Sequence, residues 1–255
     1  MRIYLFELFG IQVKSYGLMI AIGIMVALLM LLKLSNKFGY DEDDIWGLFF
    51  QSVIVGLLGG KLLWIITEID YIIDNPKILL DVGTGFVVYG ALIAGMLSIY
   101  LYCRKKKWNF LNILDITVPG VAIAQGFGRV GCFLAGCCYG APTHSHYGVV
   151  FPTNSLAPSD VRLYPTQVYS SIFDFILGFI LLWYLKKKNK DGKVAGLYLI
   201  LYSVGRFIIE FLRNDPRGSV GVLSTSQFIA IFTFIFGIMI FNIHSFRKNK
   251  GIDKK

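Results

Sequence analysis

Seven stretches of the chain are almost wholly apolar, separated by short polar breaks and centred on residues 15–33, 45–67, 86–103, 112–128, 168–185, 195–212 and 223–243. Each approaches the roughly 20 residues that a helix needs to cross about 30 Å of hydrocarbon. The pattern predicts an all-α integral membrane protein, a bundle of about seven transmembrane helices in a single polytopic membrane domain over residues 1–255. The fourth stretch carries Asp115, Pro119 and Gln125, so it is expected to be shielded by other helices or to line a wet cavity. The opening "MRIYLFELFGIQVKSYG" has no long apolar core followed by a small-residue cleavage site. No removable signal peptide is therefore expected, and the first span stays in the protein.

Composition agrees on the solvent: 55% of the residues are hydrophobic, 15% aromatic and 16% charged, which excludes an ordinary soluble domain. The net charge of +9 raises the question of nucleic acid, but its placement argues against that partner. Sixteen of the 25 lysines and arginines fall in four clusters: Lys33 and Lys37; Arg104 to Lys107; Lys186, Lys187, Lys188, Lys190 and Lys193; and Arg247, Lys248, Lys250, Lys254 and Lys255. With seven spans, all four clusters share one side, which the positive-inside rule makes cytoplasmic. The N-terminus is then outside, the C-terminus cytoplasmic, and the segment from about 129 to 167 at the outer face. The basic loops suit anionic headgroups.

Candidate chemistry enters with the ionisable residues inside the apolar runs: Lys61, Arg129, Asp174, Arg206 and Glu210. Such groups are expensive in a bilayer and mark a site or an internal partner. In "GLYLILYSVGRFIIEFLRNDPRG", Tyr202, Arg206, Glu210 and Arg213 follow at intervals of 4, 4 and 3 residues, which predicts one polar stripe along a helix. Taken alone, the stripe also suits a neutralised Arg206–Glu210 pair that merely packs. Arg129 changes the balance, because it adds a second guanidinium in a glycine-rich stretch that admits a close approach. Guanidiniums grip phosphate oxygens bidentately and stay charged. Two or three of them reached from the outer leaflet fit the headgroup of a phospholipid whose tails remain in the bilayer.

"GFGRVGCFLAGCCYG", residues 126–140, also carries three of the four cysteines, Cys132, Cys137 and Cys138. None forms a C-x-x-C pair, and only His144 and His146 stand nearby to complete a zinc set, so no metal is expected. Three roles are open to these thiols: small apolar packing beside the glycines, a disulfide from Cys132 to Cys137 or Cys138, or reactive thiols in a redox relay.

Taken in order, these pieces resemble the prolipoprotein diacylglyceryl transferase family. The resemblance runs through "SYGLMIAIG", "GGKLLW", "FVVYGALIAG", "GRVGCFLAGCCYG", "YPTQVYS", the sixth span and "LSTSQ", nearly the whole chain. It implies a multi-pass enzyme of the bacterial inner (plasma) membrane that uses no cofactor and works among membrane lipids. Such an enzyme takes the diacylglyceryl group of phosphatidylglycerol and places it on the lipobox cysteine beside a prolipoprotein's signal peptide, releasing glycerol phosphate. By the same resemblance Arg129, Arg206 and Tyr89 are the catalytic candidates, and Tyr16, Lys61, Gly90, Gly131, Gln167, Tyr202 and Glu210 line the substrate.

The chain departs from the family's pattern at several of these positions. The usual "HGG" is "YGA", which puts Tyr89 in place of a histidine, and "GRxGNFxNGExxG" is "GRVGCFLAGCCYG", with Cys132, Ala135 and Cys137 for two asparagines and a glutamate. "HPSQLYE" is "YPTQVYS", giving Tyr164 and Ser170, and Lys61 stands where arginine is usual. Three alternatives to lipoprotein maturation follow: the same donor with another acceptor, a membrane thiol-redox protein, or a non-catalytic lipid binder.

Overall fold

A computed structural model describes residues 3–8, 11–80, 85–187, 190–215 and 218–243. Lys188 and the basic cluster from Arg247 to Lys255 lie outside the described residues. Every apolar stretch forms a helix: α1 (Ser15–Lys37), α2 (Glu42–Thr67), α4 (Val88–Lys106), α5 (Phe110–Ala135), α6 (Thr166–Leu185), α7 (Lys193–Glu210) and α8 (Thr225–Phe241), with the short α3 (Ile69–Asp74) after α2. Four of them, α1, α2, α5 and α6, are long and apolar enough to cross a membrane. The chain is thus an α-helical membrane protein. The all-α fold also carries three two-stranded antiparallel pairs, β1 (Tyr4–Leu8) with β2 (Ile11–Lys14), β3 (Val149–Val150) with β4 (Arg162–Leu163), and β5 (Ser219–Val220) with β6 (Leu223–Ser224). They form where the chain is too polar or too short for a span, and pairing satisfies their backbone groups.

The helices gather into two compact units, Leu32–Ile113 and Met1–Leu31 with Leu114–Lys255. In the first, Asp41 caps α2 by accepting from the backbone N–H groups of Asp43 (3.0 Å) and Asp44 (3.3 Å), and three acidic residues in the first turn favour the helix dipole. Alongside, α4 ends on Arg104, Lys105 and Lys106. Lys106 pairs with Asp44, and the Tyr102 hydroxyl donates to the Asp44 carbonyl at 2.9 Å. The two helices therefore run antiparallel. They touch through small residues, since a Cβ on Gly90 would fall 2.3 Å from the Gly59 carbonyl oxygen, the close approach typical of membrane helices.

In the second unit α5 is the central helix. Its apolar window is more buried than that of α1, α2 or α6, as its polar residues predicted, and each has a specific partner. Asp115 accepts from the backbone N–H groups of Gly192 and Ala195, both at 2.7 Å, at the start of α7, so a carboxylate 77 to 80 residues away caps that helix. Gln125 accepts from the Tyr198 hydroxyl at 2.9 Å, and the Ser171 hydroxyl donates to the Gly126 carbonyl at 3.0 Å. Ser224 and Gln227 close a reciprocal cap on α8. Asp115→Ala leaves two buried amides without an acceptor. It is expected to destabilise the protein by about 3 kcal/mol, read as a lowered Tm in detergent.

Candidate active site

Arg129 lies inside a helix that runs past the end of the apolar stretch read at 112–128. The stretch "GFGRVGCFLAG" contains no proline and only one charge, so α5 continues through it to Ala135. The turn comes at Gly136, whose φ of 76° is left-handed and whose Cβ would lie 2.6 Å from that of Ser155; only glycine fits there. Cys138 takes a φ of 63°, an uncommon conformation for a residue with a side chain and one that concentrates at functional sites. The loop that follows has a small core of its own, with Phe151, Ala157 and Leu163 buried against Phe133, Tyr139 and Val149.

Two residues at the start of α6 hold that turn. The Thr166 hydroxyl donates to the Cys138 carbonyl at 2.8 Å, and Gln167 Nε2 donates to the Cys137 carbonyl at 2.7 Å. The Oε1 of Gln167 is buried and has no hydrogen-bond partner among the described residues. The result is a thiol cluster: the sulfurs of Cys132, Cys137 and Cys138 lie within 4.8 Å of one another. All three are free thiols, so neither disulfide is formed. Cys132 is buried, and Cys137 and Cys138 are partly exposed. Hydrogen bonds from Cys132 and Cys137, with Arg213 and Arg129 nearby, pull the Cys138 thiol below the usual thiol range.

The arginines meet in this same unit. Arg206 pairs with Glu210 at 3.3 Å, and its Nη2 donates to Ser226 on α8 at 2.8 Å. The predicted stripe holds for Tyr202, Arg206 and Glu210 but stops there, because α7 ends at Glu210. Arg213 instead lies in the following segment, which pairs antiparallel with Gly140; Ala141 N–H donates to the Leu212 carbonyl at 2.9 Å. Arg213 forms a fork to Asp215, Nε to Oδ1 at 3.1 Å and Nη2 to Oδ2 at 2.9 Å. Arg129, by contrast, makes no carboxylate ion pair among the described residues. It lies within electrostatic reach of Tyr202, Cys132, Cys138 and Asp174, while Asp174 in turn faces both Arg129 and Arg206. Three guanidiniums, one without a carboxylate ion pair among the described residues, thus lie within electrostatic reach of one another. Tyr202 stacks on Tyr198 with ring centroids 5.6 Å apart.

The remaining candidates are divided between the units. Gly131 packs against Tyr16 and Met19 of α1, and Tyr16 is 43% exposed. In the other unit, Lys61 sits 4.4 Å above the Trp64 ring, Gly90 is buried in the α2–α4 contact, and Tyr89 is exposed at the start of α4. An apolar groove of about 280 Å³ runs between α7 and α8, lined by Val204, Phe207, Ile208, Ala230, Ile231 and Phe234 with Ser203. Sequence reasoning missed this groove, and it missed the position of Arg213. Its only available signal for the latter was the "NDPRG" stretch at 214–218, which begins four residues beyond the end of α7.

Comparison with known proteins returns one consistent description. The profile of the family described as "Prolipoprotein diacylglyceryl transferase" matches residues 3–243. A phosphatidylglycerol–prolipoprotein diacylglyceryl transferase of Clostridium tetani is 59% identical over 97% of this chain and 100% of its own length. A protein of Clostridium perfringens with that name and the number 2 is 54% identical over the full length of both. A third, from Clostridioides difficile, is 33% identical over 96% of each.

Proposed function

The chain belongs to the prolipoprotein diacylglyceryl transferase family, and from that premise we infer that it transfers the diacylglyceryl group of phosphatidylglycerol to the lipobox cysteine thiol of a prolipoprotein. The observation that carries this reading is Arg129, a partly buried guanidinium without a carboxylate ion pair among the described residues, placed in one unit with Arg206 and Arg213. Such an array suits an anion supplied by a ligand. When the acceptor sulfur attacks the glyceryl carbon, the electron pair of the breaking C–O bond moves onto the phosphate oxygen. Guanidiniums already in place stabilise that charge without reorganisation.

Arg129 and Arg206 hold the phosphate in this reading. Glu210 and Ser226 orient Arg206, and Tyr202 adds a phenol to the same wall. Gln167 and Gly131 shape the headgroup end, and the groove between α7 and α8 takes an acyl chain. Tyr16, Lys61, Tyr89 and Gly90 are assigned to the substrate path by their place in the family's motifs. The whole chain is one polytopic domain of the bacterial plasma membrane, with seven spans, the N-terminus outside and the basic clusters cytoplasmic. An impermeant thiol reagent should therefore fail, in intact cells, to label a cysteine introduced at Lys187.

The decisive experiment incubates the purified protein with phosphatidylglycerol and a lipobox peptide and follows the peptide by mass spectrometry. A thioether-linked diacylglyceryl adduct, with release of glycerol phosphate, is the expected product. Donor turnover with an unmodified lipobox peptide would point to another acceptor. An oxidised peptide without the adduct would point to thiol-redox chemistry.

A further inference from the structure

We propose that Cys132, Cys137 and Cys138 form a three-thiolate zinc site whose fourth position takes the acceptor thiol and holds it as the attacking thiolate. The inference rests on the transferase reading above and supplies what that reading lacks, a means of removing the thiol proton. The sequence contains three histidines; His144 and His146 are exposed and outside the thiol cluster, and the third lies outside the described residues. The nearby carboxylates are occupied by arginines: Glu210 by Arg206, Asp215 by Arg213, and Asp174 in the field of Arg129 and Arg206. A free thiol with a pKa of about 8.5 is mostly protonated at neutral pH, and among the described residues no histidine and no carboxylate clear of an arginine stands beside the thiols.

The thiols, in turn, are built into their position. Two left-handed residues, Gly136 and Cys138, and two side-chain clamps from Thr166 and Gln167 bring the three sulfurs within 4.8 Å of one another. Zinc with Zn–S bonds of about 2.3 Å puts tetrahedral sulfurs roughly 3.8 Å apart, so small side-chain rotations close the site. Three protein ligands with one open position is the form of catalytic rather than structural zinc. Cys132 is buried and Cys137 and Cys138 are partly exposed, so the fourth position is assigned to the side of Cys137 and Cys138. Arg129 and Arg213, both in electrostatic contact with Cys138, offset the net negative charge of a divalent ion bearing three or four thiolates.

The step is a substitution without redox change. The acceptor thiol binds zinc as the thiolate and gives its proton to water. Its sulfur lone pair forms the C–S bond while the glyceryl C–O bond breaks, and the released electron pair stays on the phosphate oxygen that the arginines hold. The neutral thioether is a weaker ligand than a thiolate and leaves the zinc, reopening the position.

The test uses the full chain, purified in detergent with its thiols reduced, stripped with a chelator and titrated with Co²⁺ alone. One equivalent should give a thiolate-to-cobalt charge-transfer band and the visible bands of a four-coordinate ion, both removed by Zn²⁺. Adding a lipobox peptide should shift the visible bands as a fourth sulfur joins, and the peptide's Cys→Ser analogue should not. Cys132→Ser, Cys137→Ser and Cys138→Ser should each weaken Co²⁺ binding by at least about 10-fold. Stripping should slow transfer by at least about 10-fold, and Zn²⁺ should restore it where Mg²⁺ does not. The residual rate should then rise with pH toward the pKa of the free thiol, while the zinc-loaded rate stays flat. Failure of the reduced wild type to bind Co²⁺, a spectrum indifferent to peptide, or full-rate thioether formation by stripped protein would each overturn the zinc proposal and leave the transferase reading standing. A peptide-dependent cobalt spectrum without thioether under any metal condition would overturn the transferase reading and, with it, any part for zinc in diacylglyceryl transfer.

Discussion

Arg129→Ala is expected to lower diacylglyceryl transfer by about 10²–10³-fold, or roughly 3–4 kcal/mol of transition-state stabilisation, while the protein stays inserted and folded. The effect turns on what Arg129 lacks. With no carboxylate ion pair among the described residues, its removal breaks no salt bridge, and buried Asp174 keeps Arg206 within electrostatic reach, so the fold loses little. What disappears is a guanidinium aimed at charge that develops only as the phosphate leaves. The deficit should therefore appear in kcat as well as in kcat/KM. Arg129→Lys should recover only part of the rate, because a point charge keeps the attraction but not the planar fork. Initial rates from the thioether assay, set beside Tm in detergent, check both halves. A near-native rate in Arg129→Ala would remove the phosphate grip from the mechanism.

The helices were legible because crossing a bilayer imposes a length and an apolar content that few other constraints disturb. Boundaries were less so at α5, where the apolar stretch stops near residue 128 although nothing in the glycines and cysteines that follow prevents a helix as far as Ala135. The burial of α5 could be read from Asp115 and Gln125, but their partners could not: Gly192, Ala195 and Tyr198 lie more than 70 residues away. The site followed the same division. Arg129 and Arg206 stood out as charges inside apolar runs, and the Arg206–Glu210 pair followed from helical spacing. The thiol cluster depends on two left-handed residues and on side chains donated from the start of α6, about 30 residues later. No local pattern encodes that convergence. Arg213 illustrates the opposite failure, since helical spacing carried it onto α7 although the helix stops at Glu210.

Arg206 should behave differently from Arg129, and the difference separates a phosphate grip from a packing pair. Arg206→Ala deprives Glu210, whose side chain is 2% exposed, of its arginine. It also removes a donor to Ser226 at 2.8 Å. Loss of one member of a buried pair costs about 3–5 kcal/mol, so this variant should fall in both Tm and turnover. Glu210→Ala frees Arg206 from its orienting carboxylate, with a smaller loss of rate expected because the cation remains. The double variant Arg206→Ala/Glu210→Ala takes both charges out of the apolar interior. Most of the lost stability should return, giving a coupling energy of up to about 3 kcal/mol. Turnover should not return, because the phosphate still lacks its second guanidinium; the double variant should remain about 10²-fold or more below the wild type. Measuring Tm and the initial rate for all four proteins decides the matter. If the double variant regains both stability and rate, Arg206 serves only to neutralise Glu210, and the site must grip phosphate through Arg129 and Arg213 alone.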